Sequence, residues 1–206
     1  IFQEKKIMPE LILKKQFEDY KEGDQDPLKG GLLVSRLIDP DFNMTWVYDQ
    51  LRGLAEKTRA SNDISTFLVE LRNFGFEGAL DFNNKKLSSI EYVLRNKTGI
   101  PISLAMVIIG VGKLLGFSVK GVNFPGHFLL KSDDLLIDPH GLKTAKVGTK
   151  IMLNNQLYFT DPNDLVEVNG VKIVSRMLNN LKFIAIKEND FNEAIEYCSY
   201  QILIEN

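Results

Sequence analysis

Residues 123–141 read NFPGHFLLKSDDLLIDPHG. Two apolar runs of strand length flank a short polar turn, which is the pattern of an antiparallel hairpin. His127 opens the first run and Asp138 closes the second. A turn around Ser132-Asp133-Asp134 would set the two nearly opposite one another. A histidine facing an acid across a hairpin is the geometry in which a carboxylate fixes an imidazole tautomer. The surrounding chain must then be read for a nucleophile.

Upstream lies PISLAMVIIGVGKLLG, residues 101–116, apolar on nearly every side. Such a segment forms a buried helix, with Pro101 suited to its first turn, where a missing N–H costs nothing. Gly110 and Gly112 cost about 1 kcal/mol each against alanine, so another element is expected to pack closely there. The segment is interrupted by Ser103, both glycines and Lys113, and is not a membrane span. Before it, Ser88-Ser89-Ile90-Glu91 reads as a capping box that starts a helix ending near Lys97-Gly99. After it, strands are expected over 118–123, 128–131 and 135–138, then a loop from Pro139 to about Lys150.

The N-terminal stretch from Ile1 to Asn73 has helical spacing, with Ile12, Phe17, Leu28, Leu32, Val47 and Leu51 among its apolar positions. Breaks at Gly23-Asp24, Asp39-Pro40 and Ser61-Asn62 divide it into about four helices. Residues 74–86, FGFEGALDFNNKK, read as a loop. Two helices end the chain, hinged at Asn189-Asp190. The expected organisation is a helical region over 1–86, an α+β core over 87–170 and a helix pair over 171–206.

Composition narrows the function. A chain of 206 residues with net charge −2 offers no general attraction for nucleic acid or anionic membrane. One cysteine excludes an internal disulfide, and two histidines leave little for a zinc site. No cofactor or metal is expected, although His127, Asp138 and His140 could in principle converge on an ion. No signal peptide is legible, so the expected compartment is the cytoplasm.

The words GIPISLAMV, LLGFSVKGVNFPGHFLL and LLIDPHG, with RMLNNLKFIAIKENDFNEAI near the end, are similar to the bacterial SirB-type regulator family. That family joins a transglutaminase-like, papain-related core to tetratricopeptide-like helices. One departure is local: Leu87-Ser88 stands where the family has Asn-Ser. The resemblance implies a nucleophile at the start of the buried helix, a histidine on the second strand and an acid on the third. His127 and Asp138 take the last two posts. In the active enzymes a cysteine stands about fifteen residues before the glycine that ends the helix. Counting back from Gly116, that position holds Pro101.

Proline has no nucleophile. Ser103, the nearest hydroxyl, lies two positions on, a rotation of about 200° around an ideal helix. The simpler reading of Ser103 is a helix-start serine bonded to backbone. Asp138 can serve equally in a local Asp-Pro turn, and His140 reads as a rim residue. The favoured function is a non-catalytic regulatory or binding protein whose cleft, with Pro101 and His140 at its edge, takes a peptide or protein segment. The alternative is a hydrolase or acyltransferase using Ser103, His127 and Asp138.

Overall fold

Asp26, Asn43 and Asp63 each turn a side-chain oxygen onto a backbone N–H at a helix start. These caps satisfy donors that have no partner within the helix. They set the starts of α2 (Pro27–Ile38), α3 (Met44–Lys57) and α4 (Ile64–Asn73), which follow α1 (Glu4–Glu22). The computed structural model describes residues 4–124, 126–153 and 155–206, with side chains from residue 10 onward. Residues 1–3 of the expected first helix, and Pro125 of the Pro-Gly-His turn, lie outside the described residues. All three expected helix breaks fall between the observed helices.

The stretch expected as loop over 74–86 carries two short elements. Strand β1 (Glu77–Gly78) pairs in parallel with β2 (Thr98–Gly99). A 3-10 turn follows over Lys85–Ser88. Helix α5 (Ile90–Asn96) is capped by Ser89, whose Oγ accepts from Tyr92 N, not by Ser88. The expected capping box fails because Ser88 lies inside the 3-10 turn. Its partner Glu91 instead accepts from Asn43 N at 2.7 Å, capping the chain entering α3. Helix α5 ends at Lys97 in the left-handed conformation, two residues before Gly99.

Helix α6 (Pro101–Leu114) is the buried centre, with Ile102 through Gly112 all inaccessible. Gly110 lets Leu28 of α2 and Leu51 of α3 approach so closely that an added Cβ would stand 3.0 Å and 3.4 Å from them. This is the close packing its glycines implied. Leu114, expected in the core, is 54% exposed, because the last turn of α6 runs out past its neighbours.

A five-stranded sheet covers α6. Its strands are β3 (Lys120–Phe124), β4 (His127–Ser132), β5 (Leu135–Asp138), β6 (Lys143–Lys146) and β9 (Glu167–Val168), in the order β6-β5-β4-β3-β9. Strand β6 occupies part of the expected 139–150 loop. A separate hairpin joins β7 (Lys150–Leu153) to β8 (Gln156–Phe159). Phe128, Leu130 and Ile137 face the main core, whereas Val122, Leu129 and Leu136 face a smaller cluster under the β7-β8 hairpin. That division is the period-two alternation of paired strands.

Helices α7 (Gly170–Lys187) and α8 (Phe191–Glu205) form an antiparallel pair. Helix α7 packs on α2, and α8 on α1. One apolar cluster therefore runs from Leu13 to Ile204. Among the described residues no helix is long and apolar enough to cross a membrane. The architecture is α+β: helices around a buried central helix, with a mainly antiparallel sheet on one side.

Candidate functional site

A cleft of about 840 Å³ opens where the N-terminus of α6 meets β4, β5 and α7. Pro101, His127, Asp138 and His140 all line it; Ser103 does not. Pro101 occupies the first turn of α6 behind Ile100, so a pyrrolidine ring stands at the helix start in the cleft wall.

Ser103 is wholly buried and turned away. Its Oγ shares one proton between Leu87 O at 2.6 Å and Ile100 O at 3.0 Å. A Cβ on Gly99 would come within 2.8 Å of this oxygen, so the strand beside it has no room for a side chain. Both bonds tie the start of α6 to the 3-10 turn ahead of α5. The arrangement is that of a structural serine.

His127 stands first in β4, directly paired with Phe124 across a tight turn in which Gly126 takes φ +73°. Left-handed backbone at this position favours glycine. The imidazole lies edge-to-face with Tyr158, ring centres 5.3 Å apart, and tilted against Phe124 at 6.3 Å. Burial among these rings lowers its pKa from the ordinary histidine value. Nearby Asp138 pulls the other way, and the Arg176 guanidinium adds to the lowering. His127 is therefore neutral at neutral pH, able to donate through one ring nitrogen and accept through the other.

The β4-β5 register differs from expectation. Ser132 pairs with Leu135 and Leu130 with Ile137, closing a two-residue turn at Asp133-Asp134 with Asp133 at φ +51°. Continuing this ladder sets Leu129, not His127, opposite Asp138. Among the described residues no hydrogen bond joins His127 to Asp138; they interact through space. Asp138 is occupied locally. One oxygen accepts from His140 N at 3.0 Å, and the other lies 3.6 Å from Lys143 Nζ on the paired strand β6.

His140 is a clamp. Its Nε2 donates to Ala79 O at 2.9 Å, and its ring meets Phe82 edge-on at 5.8 Å. This holds residues 79–82 against the end of β5, so that Leu80 and Phe82 form one wall of the cleft. Among the described residues no group of three or more His, Cys, Asp or Glu side chains is gathered so as to hold a metal ion.

Sequence reading missed the apolar walls and one cation. Leu80, Phe82, Met152, Phe183 and Ile186 line the cleft and are all 45% exposed or more. Arg176 lines it from α7, bonded to Asn123 Oδ1 and lying over the Phe128 ring. The available signal was on α7: Phe183 and Ile186 fall outside the stripe of Ile173, Met177, Leu178, Leu181 and Ala185 that fills the core.

A buried helix whose N-terminus faces a histidine strand and an acid strand defines the papain-related class of cleft. A family description, the transglutaminase-like superfamily, matches residues 45–179, and the chain belongs to that superfamily. It is 25% identical to a UPF0162 protein of Vibrio cholerae, over 82% of this chain and 69% of the relative. It is 24% identical to Protein SirB1 of Salmonella typhimurium, over 86% of this chain and 73% of the relative. It is 28% identical to the F-box only protein 21 of Mus musculus, over 53% of this chain but only 19% of that protein. For a UPF0162 protein of Xylella fastidiosa the match spans 43% of the relative. No solved structure matches the chain.

Proposed function

We propose that the chain is a non-catalytic, transglutaminase-like binding protein of regulatory type, whose cleft holds a peptide or protein segment. The observation that carries this reading is Pro101. A ring without a nucleophilic atom stands at the helix start that lines the cleft together with His127, while the nearest hydroxyl on that helix, Ser103, spends its proton on Leu87 O and Ile100 O. The cleft around it keeps exposed apolar walls, a volume within the usual range for ligand sites and a neutral imidazole. A cytoplasmic setting accords with a single cysteine and no disulfide.

The test uses a displayed library of random heptapeptides panned on the wild-type protein and on Phe183→Asp. Recurrent sequences retained by the wild type and lost by the variant are expected, with no hydrolysis or transamidation of the retained peptides. Acyl transfer or cleavage abolished by both Ser103→Ala and His127→Ala would overturn the reading in favour of a Ser103-His127-Asp138 hydrolase or acyltransferase.

A further inference from the structure

The cleft has a directional lining along α7. Arg176, Asn180, Phe183 and Lys187 all line it, at spacings of four, three and four that keep them on one helix face. At 1.5 Å per residue, Arg176 to Lys187 spans about 16 Å, the length of about five residues of extended chain at 3.3 Å each. The end at Arg176 and Asn180 is polar. The end at Phe183 and Ile186 is apolar, faced by Phe82 across the cleft and closed by Lys187 Nζ bonded to Asn83 Oδ1 at 2.5 Å.

Two cations of this lining, Arg176 and Lys187, have no ion pair among the described residues; Lys187 is exposed, whereas Arg176 is held inside at the polar end. It is half-buried, and burial alone lowers its pKa, with no carboxylate acting against the effect. It remains fully charged at neutral pH, as arginine does throughout proteins. Among the described residues no Asp or Glu lies within ion-pair distance of it. Asp138, the one acid among the described residues of the cleft, is taken by Lys143 and His140 N. Among the described residues the guanidinium bonds one amide oxygen, that of Asn123, which leaves most of its five N–H donors for another acceptor. It also stands where the cleft meets a second, polar cavity of about 410 Å³, so its far side has access to water. A partly buried, unpaired guanidinium is costly unless a carboxylate arrives to pair with it.

We infer that the cleft recognises an extended peptide whose carboxylate pairs with Arg176 and whose bulky apolar side chain, about three residues away, sits over Phe183. The spacing follows from α7: seven residues separate Arg176 from Phe183, about 10 Å, or three extended residues. This inference rests on the reading of the cleft as a peptide site and adds the chemistry of the occupant. The carboxylate can come from an Asp or Glu side chain or from a free peptide C-terminus.

The experiment is the heptapeptide panning repeated on Arg176→Gln and Arg176→Lys. Peptides from the wild-type selection are then synthesised with free and with amidated C-termini and titrated by fluorescence anisotropy. The expected result is a carboxylate two to four residues from a Phe, Leu, Ile or Met. Affinity should fall at least tenfold in Arg176→Gln and less in Arg176→Lys, which keeps the charge but loses the planar fork. Loss on amidation assigns the carboxylate to the C-terminus; retention assigns it to a side chain. Thermal unfolding of both variants separates lost binding from lost folding, and Arg176→Lys answers the question if Arg176→Gln does not fold. Peptides selected without any carboxylate, and bound equally by wild type and Arg176→Gln, would overturn the inference while leaving a peptide cleft standing. Selection of no peptide that Phe183→Asp fails to bind would remove both.

Discussion

Two halves of one cleft use similar residues for opposite ends. In one, Asp138 and His140 on the cleft, and Ser103 beside it but not lining it, are polar groups whose atoms are spent locally: Ser103 on Leu87 O and Ile100 O, Asp138 on His140 N and Lys143, and His140 on Ala79 O. In the other, Pro101, His127 and Arg176 line the same space. His127 has no hydrogen bond to Asp138, and Arg176 no carboxylate, among the described residues. Both hold a histidine, His127 opening β4 and His140 in the turn after β5, and sequence alone does not distinguish their roles. The difference teaches that a polar residue beside a cleft belongs to the fold when its atoms are consumed locally. It is available to a ligand when it keeps polar atoms that no local partner uses. The first half should therefore answer mutation with stability, and the second with reactivity or binding.

The sharpest way to break this division is to place a thiol in each half. Pro101→Cys puts a sulfur at the cleft-facing start of α6, where the helix N-terminus favours the thiolate. Ser103→Cys puts one at a fully buried position. Pro101→Cys should react with iodoacetamide at neutral pH about a hundredfold faster, equal to about 2.7 kcal/mol of barrier. His127→Ala should slow it, since the neutral imidazole accepts the thiol proton. A faster Ser103→Cys that depends on His127 would show that the two halves have been assigned the wrong way round and would restore Ser103 as a nucleophile.

Next in size is Gly78→Ala. A Cβ there would lie 2.3–2.6 Å from three atoms of the His140 ring, which is held in place by Ala79 O. Overpacking of this kind costs about 2 kcal/mol, measurable by urea unfolding. Adding His140→Ala should recover part of the loss, the non-additivity expected of touching residues. An unchanged midpoint would mean that the clamp on residues 79–82 does not hold in solution.

How far the sequence reached follows the same division. Helices α1 to α4, the buried α6 and the 135–138 strand were legible because their signals are local: breaks at Gly, Pro and Asn, and apolar residues on every face of α6. Ser89 was not recognised as the cap of α5, because Ser88 and Ser89 both suit the pattern and only the 3-10 turn through Ser88 decides between them. Glu91 was assigned to its own helix although it caps a chain 48 residues away, a choice that tertiary structure makes. The placing of Asp138 failed by two residues of register, since the two-residue turn at Asp133-Asp134 sets Leu129 and not His127 opposite it. Leu114 is exposed although its helix is apolar on every side, because such a helix carries no mark of where its neighbours stop. The cleft walls were invisible for a related reason. Leu80 and Phe82 come from a loop that only the His140 contact brings to the site.

A smaller effect is expected from Ser103→Ala. It removes the hydroxyl that ties α6 to the 3-10 turn, but Leu87 O keeps a long bond from Ile100 N at 3.5 Å. The cost should be about 1 kcal/mol, that of one ordinary hydrogen bond, with peptide binding by the cleft unchanged. A stability change near zero combined with lost binding would move Ser103 out of the structural half.

The smallest effect separates the available histidine from one locked to an acid. In an unfolded chain His127 takes up its proton near the ordinary value of about 6.5. In the folded chain, burial by the Phe124 and Tyr158 rings and the charge of Arg176 lower that value, against an opposing pull from Asp138. Between the lowered and ordinary values the unfolded chain holds more protons, so His127 makes the fold less stable as pH falls through about 6.5, levelling off below the folded value. Comparing wild type with His127→Gln isolates this contribution, because every other titrating group is common to both. Unfolding free energies at pH 7.5 and pH 5 should show wild type losing slightly more on acidification than His127→Gln. If Asp138 instead held the imidazolium as an ion pair, the folded pKa would be raised. Wild type would then gain on His127→Gln as the pH fell. That reversed sign would return His127 and Asp138 to a working dyad and set the histidine with the committed half of the cleft.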